Sequence, residues 1–339
     1  MTPQKILVTG GTGFLGSHLV QAFTARGDQV VAFDLNPPER GFPAGAEFIA
    51  GDVRDSVALA RAADGCAVVI DNAALVPVTR ADLEQYRAVN VEGCRATLAV
   101  AAANKAYVVH VSSSAIYGLP STLPVTPSTP LAPFEPYGQS KAEAEQVVEL
   151  TARGGLEVIS LRPRTLVGAG RLGIFDVIFS RIQQGKRVPL FGSGNNEVQM
   201  CDVGDFCRAA VAAVESRAVG SFNVGSASFG TVREDIEALI AHAGSGARVA
   251  PVPVWAIRSV LQPLDLIGRS PFSAWHWRSS PKSFYFDIGP TCAALGWQPR
   301  YSNAETLASA YDRYCESSTS DGRSAHRRPL SGLLARLLR

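Results

Sequence analysis

Short apolar runs alternate along the first half of the chain with longer stretches in which apolar residues recur every three or four positions, a rhythm that predicts parallel strands joined by crossover helices. The first run, Ile6-Leu7-Val8, turns through glycines into helical spacing at Phe14, Leu15, Leu19, Val20 and Phe23. Further strands are expected at 29–34, 47–50, 66–71, 107–111 and 156–161, and all but the last end in or open into small, polar or acidic residues. In an open α/β sheet, such C-terminal ends are where ligands sit. One long helix is expected over about 82–103, and another opens at Pro136, since proline suits the first helical turn.

Beyond residue 165 the alternation loosens. Helical spacing returns between 170 and 185, at 205–214 and at 231–242, and a strand is expected at 221–224. The apolar stretch 251–267, interrupted by Arg258, Pro263 and Asp265, reads as a core or lid helix. The pattern predicts an α/β chain with a doubly wound parallel sheet over 1–165, to which about 200–225 return. A smaller, interleaved substrate-binding domain is expected mainly over 166–315, and a basic linker with an amphipathic helix over 316–339.

The turn after the first strand spaces Gly10, Gly13 and Gly16 as G-x-x-G-x-x-G. With a strand before it and a helix after it, this is a phosphate cradle. Gly10 permits the tight turn, Gly13 lets backbone approach a pyrophosphate, Gly16 lets helix and strand pack closely, and the helix N-terminus supplies N–H donors and positive dipole. Thr12, Phe14 and Leu15 complete the candidate cofactor turn. Asp34 lies 24 residues beyond Gly10 at the end of the second strand, placed to accept hydrogen bonds from an adenosine ribose and to repel a 2′-phosphate. The sheet is therefore expected to be of Rossmann type with NAD as cofactor, although Arg40 nearby favours a 2′-phosphate.

Composition narrows the class. At 339 residues, 46% hydrophobic and 18% charged, the chain suits a globular enzyme with about two domains. Net charge is +2, but residues 316–339 hold five arginines against two acids, so the body is slightly acidic and unsuited to nucleic acid. The six cysteines have no C-x-x-C spacing and no cluster with histidines, so neither a metal site nor a disulfide framework is expected. They read as core thiols of a reducing compartment. With no leader-like segment before the first strand and no apolar run near the roughly 18 residues of a membrane span, a cytoplasmic protein is expected.

Tyr137 and Lys141, four apart in a helix-forming segment, share one face. Tyrosine is a poor base at neutral pH, and a lysine one turn away stabilises its phenolate, so Tyr137 can take a proton from an alcohol or return it to a ketone. A serine from Ser112-Ser113-Ser114, at the end of the fifth strand, can hold the same oxygen. The hydride then passes to or from the nicotinamide held by the opening glycines.

On these residues, from Thr9–Gly16 through Tyr137 and Lys141 to Phe286-Asp287 and Leu295-Gly296-Trp297, the chain resembles the extended short-chain dehydrogenases/reductases. That group holds nucleotide-sugar epimerases, dehydratases and 3β-hydroxysteroid dehydrogenase-like enzymes. The resemblance covers everything but the tail after about Glu316. It implies that Asp52 and Val53 contact adenine, that Asn72, Ala73 and Ala74 line the cofactor, that Asn90 supports the active site and that Pro163 to Thr165 border the nicotinamide. It also implies Ser113 as the catalytic serine, with Ser112 and Ser114 adjacent alternatives, and a homodimer.

Departures from the family pattern narrow the reaction. Ser114 and Ala115 stand where dehydratases carry Asp-Glu, which argues against dehydration. Thr165 and Val198 stand where many nucleotide-sugar enzymes place Asn and Arg, and valine cannot clamp a diphosphate. Arg164, Arg171 and Arg278 are candidate substitutes. Trp255, Phe272, Trp275, His276, Trp277, Phe284, Tyr285 and Phe286 make the later region aromatic, closer to the steroid dehydrogenase-like branch or else ordinary core.

The tail repeats leucine at 330, 333, 334, 337 and 338 beside arginines, a basic amphipathic stripe. Such a stripe suits peripheral contact with the inner face of a membrane, or packing on the body or on a second copy. The expected activity is NAD-dependent hydride transfer at a secondary alcohol or ketone of a hydrophobic or lipid-linked small molecule. The alternatives are a sugar epimerase using a transient ketone and a non-catalytic NAD(P)-sensing protein; sensors of that kind typically lack the Tyr/Lys pair.

Overall fold

The computed structural model describes residues 2–38, 41–77, 81–170, 174–266 and 278–319. In chain order the strands are β1 (Lys5–Thr9), β2 (Gln29–Asp34), β3 (Ala46–Ala50), β4 (Val68–Asp71), β5 (Tyr107–Val111), β6 (Val158–Pro163), β7 (Thr165–Val167), β8 (Arg187–Phe191), β9 (Met200–Asp202), β10 (Gly220–Val224) and β11 (Arg248–Val252). The helices are α1 (Phe14–Ala25), α2 (Ser56–Ala63), α3 (Leu83–Tyr86), α4 (Glu92–Ala103), α5 (Pro136–Arg153) and α6 (Ile174–Gln183). They continue with α7 (Val203–Ser216), α8 (Val232–His242), α9 (Val254–Leu266), α10 (Gly289–Leu295) and α11 (Asn303–Thr319). Two compact units result, Met1–Arg164 with Val203–Gly225 and Phe286–Pro299, and Thr165–Asp202 with Ser226–Tyr285 and Arg300–Arg339.

The first unit is built on a seven-stranded sheet ordered β10-β6-β5-β4-β1-β2-β3, with every pairing parallel. Strand order runs one way from β1 to β3 and the other way from β4 to β10, so the switch point lies between β1 and β4. Both faces are covered, which is why β4, β5 and β6 are buried along their whole length. Leu7, Val31, Val69 and Val108 point to the face shared by α2, α4 and α5, packing with Leu59, Leu98, Ala144 and Val148. Side chains alternate along a strand, so Asp71 and His110, two residues past Val69 and Val108, point to that same face. The helices α1 and α7 pack together, and α7 also meets β5 and β6.

The helix expected over 82–103 is not uniform. Asp82 and Gln85 form a capping box for α3, and a π-helical turn over Arg87–Val91 then joins α3 to α4. A wide turn of this kind shifts the helix phase by one residue and buries Asn90. The strand expected at 156–161 instead runs through Arg162 and Pro163, because β10 pairs alongside as far as Val224.

The second unit holds two small parallel pairs, β7 with β9 and β8 with β11. Its core joins Phe175, Phe179 and Ile182 of α6 to Val188 and Leu190 of β8, Ile236 and Leu239 of α8, and Leu307 and Tyr311 of α11. The stretch expected to be helical over 251–267 starts as the end of β11 and turns at Pro253 into α9. Trp255 on α9 is 74% exposed. The six cysteines are free. Among the described residues, no helix is long and apolar enough to cross a membrane. Arg40, Arg171, Phe272, Trp275, His276, Trp277 and the leucine-arginine tail lie outside the described residues.

Candidate active site

The cradle forms where β1 gives way to α1. Gly10 takes φ +64°, which disfavours any side chain, and its N–H donates to the Phe33 carbonyl at 2.8 Å, tying the turn to β2. A Cβ on Gly16 would come within 1.9 Å of the Gly10 carbonyl oxygen, so helix and turn touch at backbone distance. Gly13 precedes α1 as its N-cap residue, and neither a capping side chain nor an acid occupies the first turn. The positive end of α1 is thus uncancelled, as an anion site requires.

Asp34 closes the cradle on its β2 side. Its carboxylate accepts from the N–H of Thr12 at 3.1 Å and from that of Leu35 at 2.7 Å. On the β4 side, Asn72 donates from Nδ2 to the carbonyls of Thr9 and Gly10, each at 3.2 Å. Thr9 Oγ1 accepts from the N–H groups of Asn72 and Ala73 at 3.0 and 3.1 Å. Thr9 opens the stretch Thr9–Gly16 on which the family resemblance rests, and its hydroxyl fastens the two strand ends flanking the switch point.

Asp52 pairs with Arg54, whose Nε donates to it at 2.9 Å, and that hydrogen bond holds its carboxyl below the usual range despite partial desolvation. Val53 is buried against α4, where a Cβ on Gly93 would come within 2.7 Å of Val53 Cγ2.

The start of α5 carries the candidate acid/base pair. Pro136 opens the helix and the Glu135 carboxylate caps it, accepting from the Gly138 N–H at 2.8 Å. Burial pushes the Glu135 carboxyl up, against the hydrogen bonds from Gly138 and Tyr137. Tyr137 is half-buried with its ring edge-on to Tyr86 at 5.9 Å. One turn on, Lys141 is buried, and its Nζ donates to the Val111 carbonyl at the end of β5, 2.7 Å away.

Asn90, in the π turn, holds this region in place. Its Oδ1 accepts from the Leu75 N–H at 2.8 Å, and its Nδ2 donates to the Leu75 carbonyl at 3.1 Å and to Ser140 Oγ at 2.9 Å. Ser140 in turn donates to the Tyr137 carbonyl at 2.8 Å.

The three serines after β5 differ. Ser113 is half-buried and caps a 3-10 turn over Ser114–Tyr117, its Oγ accepting from the Ala115 N–H at 3.2 Å. Ser114 is buried and accepts from Arg164 Nη1 at 3.0 Å, with the Arg164 guanidinium over the Phe286 ring. Ser112 is buried at the strand end. Ala74 is half-buried just past Ala73, Pro163 ends β6 in the first unit, and Thr165 opens β7 in the second.

Two charged clusters were not anticipated. Glu145, one turn beyond Lys141, is buried with Arg162 of β6, whose Nε donates to it at 2.8 Å. Arg162 Nη1 also reaches the Tyr117 hydroxyl at 2.7 Å and the Pro127 carbonyl at 2.9 Å, and Tyr117 donates to Asn223 at 2.8 Å. Burial opposes the Glu145 charge, but the hydrogen bonds and charge of Arg162 outweigh it and hold the carboxyl below its usual range.

The second cluster corrects the expectation that no cysteine lies with a histidine. Asp71, Cys94 and His110 meet in the core, with their oxygen, sulfur and nitrogen atoms within 4.8 Å of one another. Sequence separations of 16 and 39 residues hid this meeting; only the β4–β5 register, which pairs Asp71 with His110, brings them together.

Comparison with known proteins agrees with this architecture. The NAD dependent epimerase/dehydratase family matches residues 6–225. Uncharacterized protein y4nG of Sinorhizobium fredii is 34% identical over 338 residues, 98% of this chain and 85% of that protein. A 4-hydroxy-2-methyl-3-oxo-4-farnesyl-3,4-dihydroquinoline-1-oxide ketoreductase of Stigmatella aurantiaca is 34% identical over 219 residues, 62% of this chain and 64% of its own. The crystal structure of UDP-glucose 4-epimerase from Thermotoga maritima with UDP-glucose superposes with a TM-score of 0.77 at 24% identity, covering 93% of this chain and 99% of that one.

Proposed function

The chain belongs to the NAD-dependent epimerase/dehydratase family, enzymes of the extended short-chain dehydrogenase/reductase type, and from that premise we propose that it transfers hydride at a secondary alcohol or ketone of a hydrophobic or lipid-linked small molecule. The observation that carries the reading is the Tyr137–Lys141 pair on α5, its lysine buried and tied to the end of β5. Bound NAD supplies the hydride acceptor or donor. The cradle of Gly10, Thr12, Gly13, Phe14, Leu15 and Gly16 fits the pyrophosphate, because the Gly10 turn and the Gly16 contact leave no room for side chains there. Asp34 offers its carboxylate to the ribose of NAD.

In this reading Tyr137 exchanges the proton of the substrate oxygen, Lys141 stabilises the phenolate and holds the nicotinamide ribose, and Ser113 orients that oxygen. Ser113 is favoured because Ser114 is already bonded to Arg164. The preference for an apolar substrate rests on Val198, where a diphosphate-binding arginine would stand, and draws support from the farnesylated substrate named for the ketoreductase relative. The leucine-arginine tail adds a route to membrane-borne substrate, and a homodimer is the expected assembly.

A second reading, epimerisation through a transient ketone, is favoured by the family itself and by the fold shared with UDP-glucose 4-epimerase. The two separate in one assay with NAD and candidate substrates. A dehydrogenase releases NADH in proportion to product, whereas an epimerase isomerises a sugar with no net absorbance change at 340 nm. Isomerisation without NADH release sinks the leading reading.

A further inference from the structure

Lys141 is a lysine buried inside the protein, and the ammonium form of such a side chain needs a counter-charge there. Its Nζ is bonded to the carbonyl of Val111, the residue after His110. His110 faces Asp71 across the β4–β5 register, with its Nδ1 2.7 Å from Asp71 Oδ2, and Cys94 Sγ of α4 lies 3.8 Å from the same nitrogen. All four side chains are at most 4% exposed. With its proton on Nδ1, His110 donates to the carboxylate and fixes its direction, while His110 Nε2 has no partner among the described residues. Oxygen, sulfur and nitrogen so arranged lie at the end of the same strand pair whose Val111 carbonyl holds the Lys141 Nζ.

Accepting the catalytic reading of Tyr137 and Lys141, we propose that Asp71, aimed by His110 and Cys94, is the positioning counter-ion that keeps Lys141 an ammonium beneath Tyr137. The groups acting on Lys141 are Asp71 of β4, Cys94 of α4 and Glu145 of its own helix. Those acting on Asp71 are His110 of β5, Lys141 of α5 and Cys94 of α4. Burial pushes the Lys141 ammonium toward losing its proton, and the neighbouring negative charge works against that loss. Burial likewise opposes the Asp71 carboxylate, but His110 and Lys141 outweigh it and hold its carboxyl below the usual range, so Asp71 is charged at neutral pH.

The test reads the lysine directly and needs no substrate. The chain has five lysines, so 13Cε-lysine labelling of the NAD-loaded protein gives few signals, and Lys141→Arg assigns the one of interest. In Asp71→Asn the Lys141 titration midpoint falls by about one pH unit or more, a tenfold loss of proton affinity, which is the scale of one close opposite charge. His110→Asn, which keeps a donor at the Nδ1 position, leaves the midpoint where it is in the wild type. An unchanged midpoint in Asp71→Asn overturns the proposal, as does an equal shift in both variants, which would mark a general packing effect. Should Asp71→Asn not fold, Asp71→Ser gives the same two answers. Failure of the catalytic reading is seen elsewhere, as turnover that survives Tyr137→Phe, and does not touch the lysine titration.

Discussion

Lys141 and Glu145 stand one turn apart on α5, and both are buried, yet their surroundings are finished differently. Around Glu145 the bonding is closed, because Arg162 directs Nε and Nη2 to the carboxylate and Nη1 to Tyr117 and Pro127. Around Lys141 it is open. An ammonium has three N–H donors, and among the described residues the hydrogen bond it makes is to Val111. A closed pair holds the helix to β6, whereas the open lysine leaves N–H donors beyond the one given to Val111, as the proposed role toward the nicotinamide ribose requires. The same helix face thus carries an anchor and a tool, and the anchor sets where the tool points.

The largest expected effect falls on the open end. Tyr137→Phe should lower turnover by about 10²–10⁴-fold, the range for a lost general acid/base, with no change in melting temperature. A matching loss of stability would erase the distinction between anchor and tool.

At the closed end the order reverses. Arg162→Met should cost about 3–5 kcal/mol in a denaturant titration, because Glu145 is left buried and uncompensated. The double variant Arg162→Met/Glu145→Leu should recover most of that loss, since replacing both charges by apolar groups removes the penalty. If it does not, the pair does more than pin α5.

Acid sharpens the same contrast more gently. A carboxyl held below its ordinary value adds stability that is full above that ordinary value and fades as pH falls through the folded-state value. The stability gap between wild type and Glu145→Gln should therefore be constant above about 4.5, the ordinary glutamate value, and close below it, as read by denaturant melts along a pH series.

Smallest is the effect at the cradle, remote from both pairs. Asp34→Ala should weaken NAD binding by roughly tenfold, the scale of hydrogen bonds to a charged group, and relax discrimination against NADP in a fluorescence titration. Wild-type preference for NADP would overturn the role given to Asp34.

Much of the first unit is legible in the sequence because its strands are continuous apolar runs. Tyr107–Val111 is a buried strand over the very residues that periodicity marks. The glycine spacing and the Tyr137–Lys141 interval are legible too, because both are local. The small pairs are not, for β7 and β9 are three residues each, too short to show a rhythm, and β8 and β11 are half-exposed and interrupted by Pro189 and Pro251. Asp71–His110 and Glu145–Arg162 escape notice for another reason. Each joins residues 39 and 17 apart, and each depends on sheet register or helix docking, neither of which leaves a mark in sequence spacing.

The π turn over Arg87–Val91 has an evolutionary reading as well as a geometric one. It amounts to one residue inserted into an otherwise regular helix, and Asn90 sits inside it. Because the wide turn absorbs that residue, deleting it would restore the regular winding and leave the flanking segments close to their present facing. What would be lost is the amide clasp of Asn90 on Leu75 and Ser140. The extra residue is therefore dispensable to the packing of the helix and indispensable to the loop at Leu75 and the start of α5, which Asn90 fastens together.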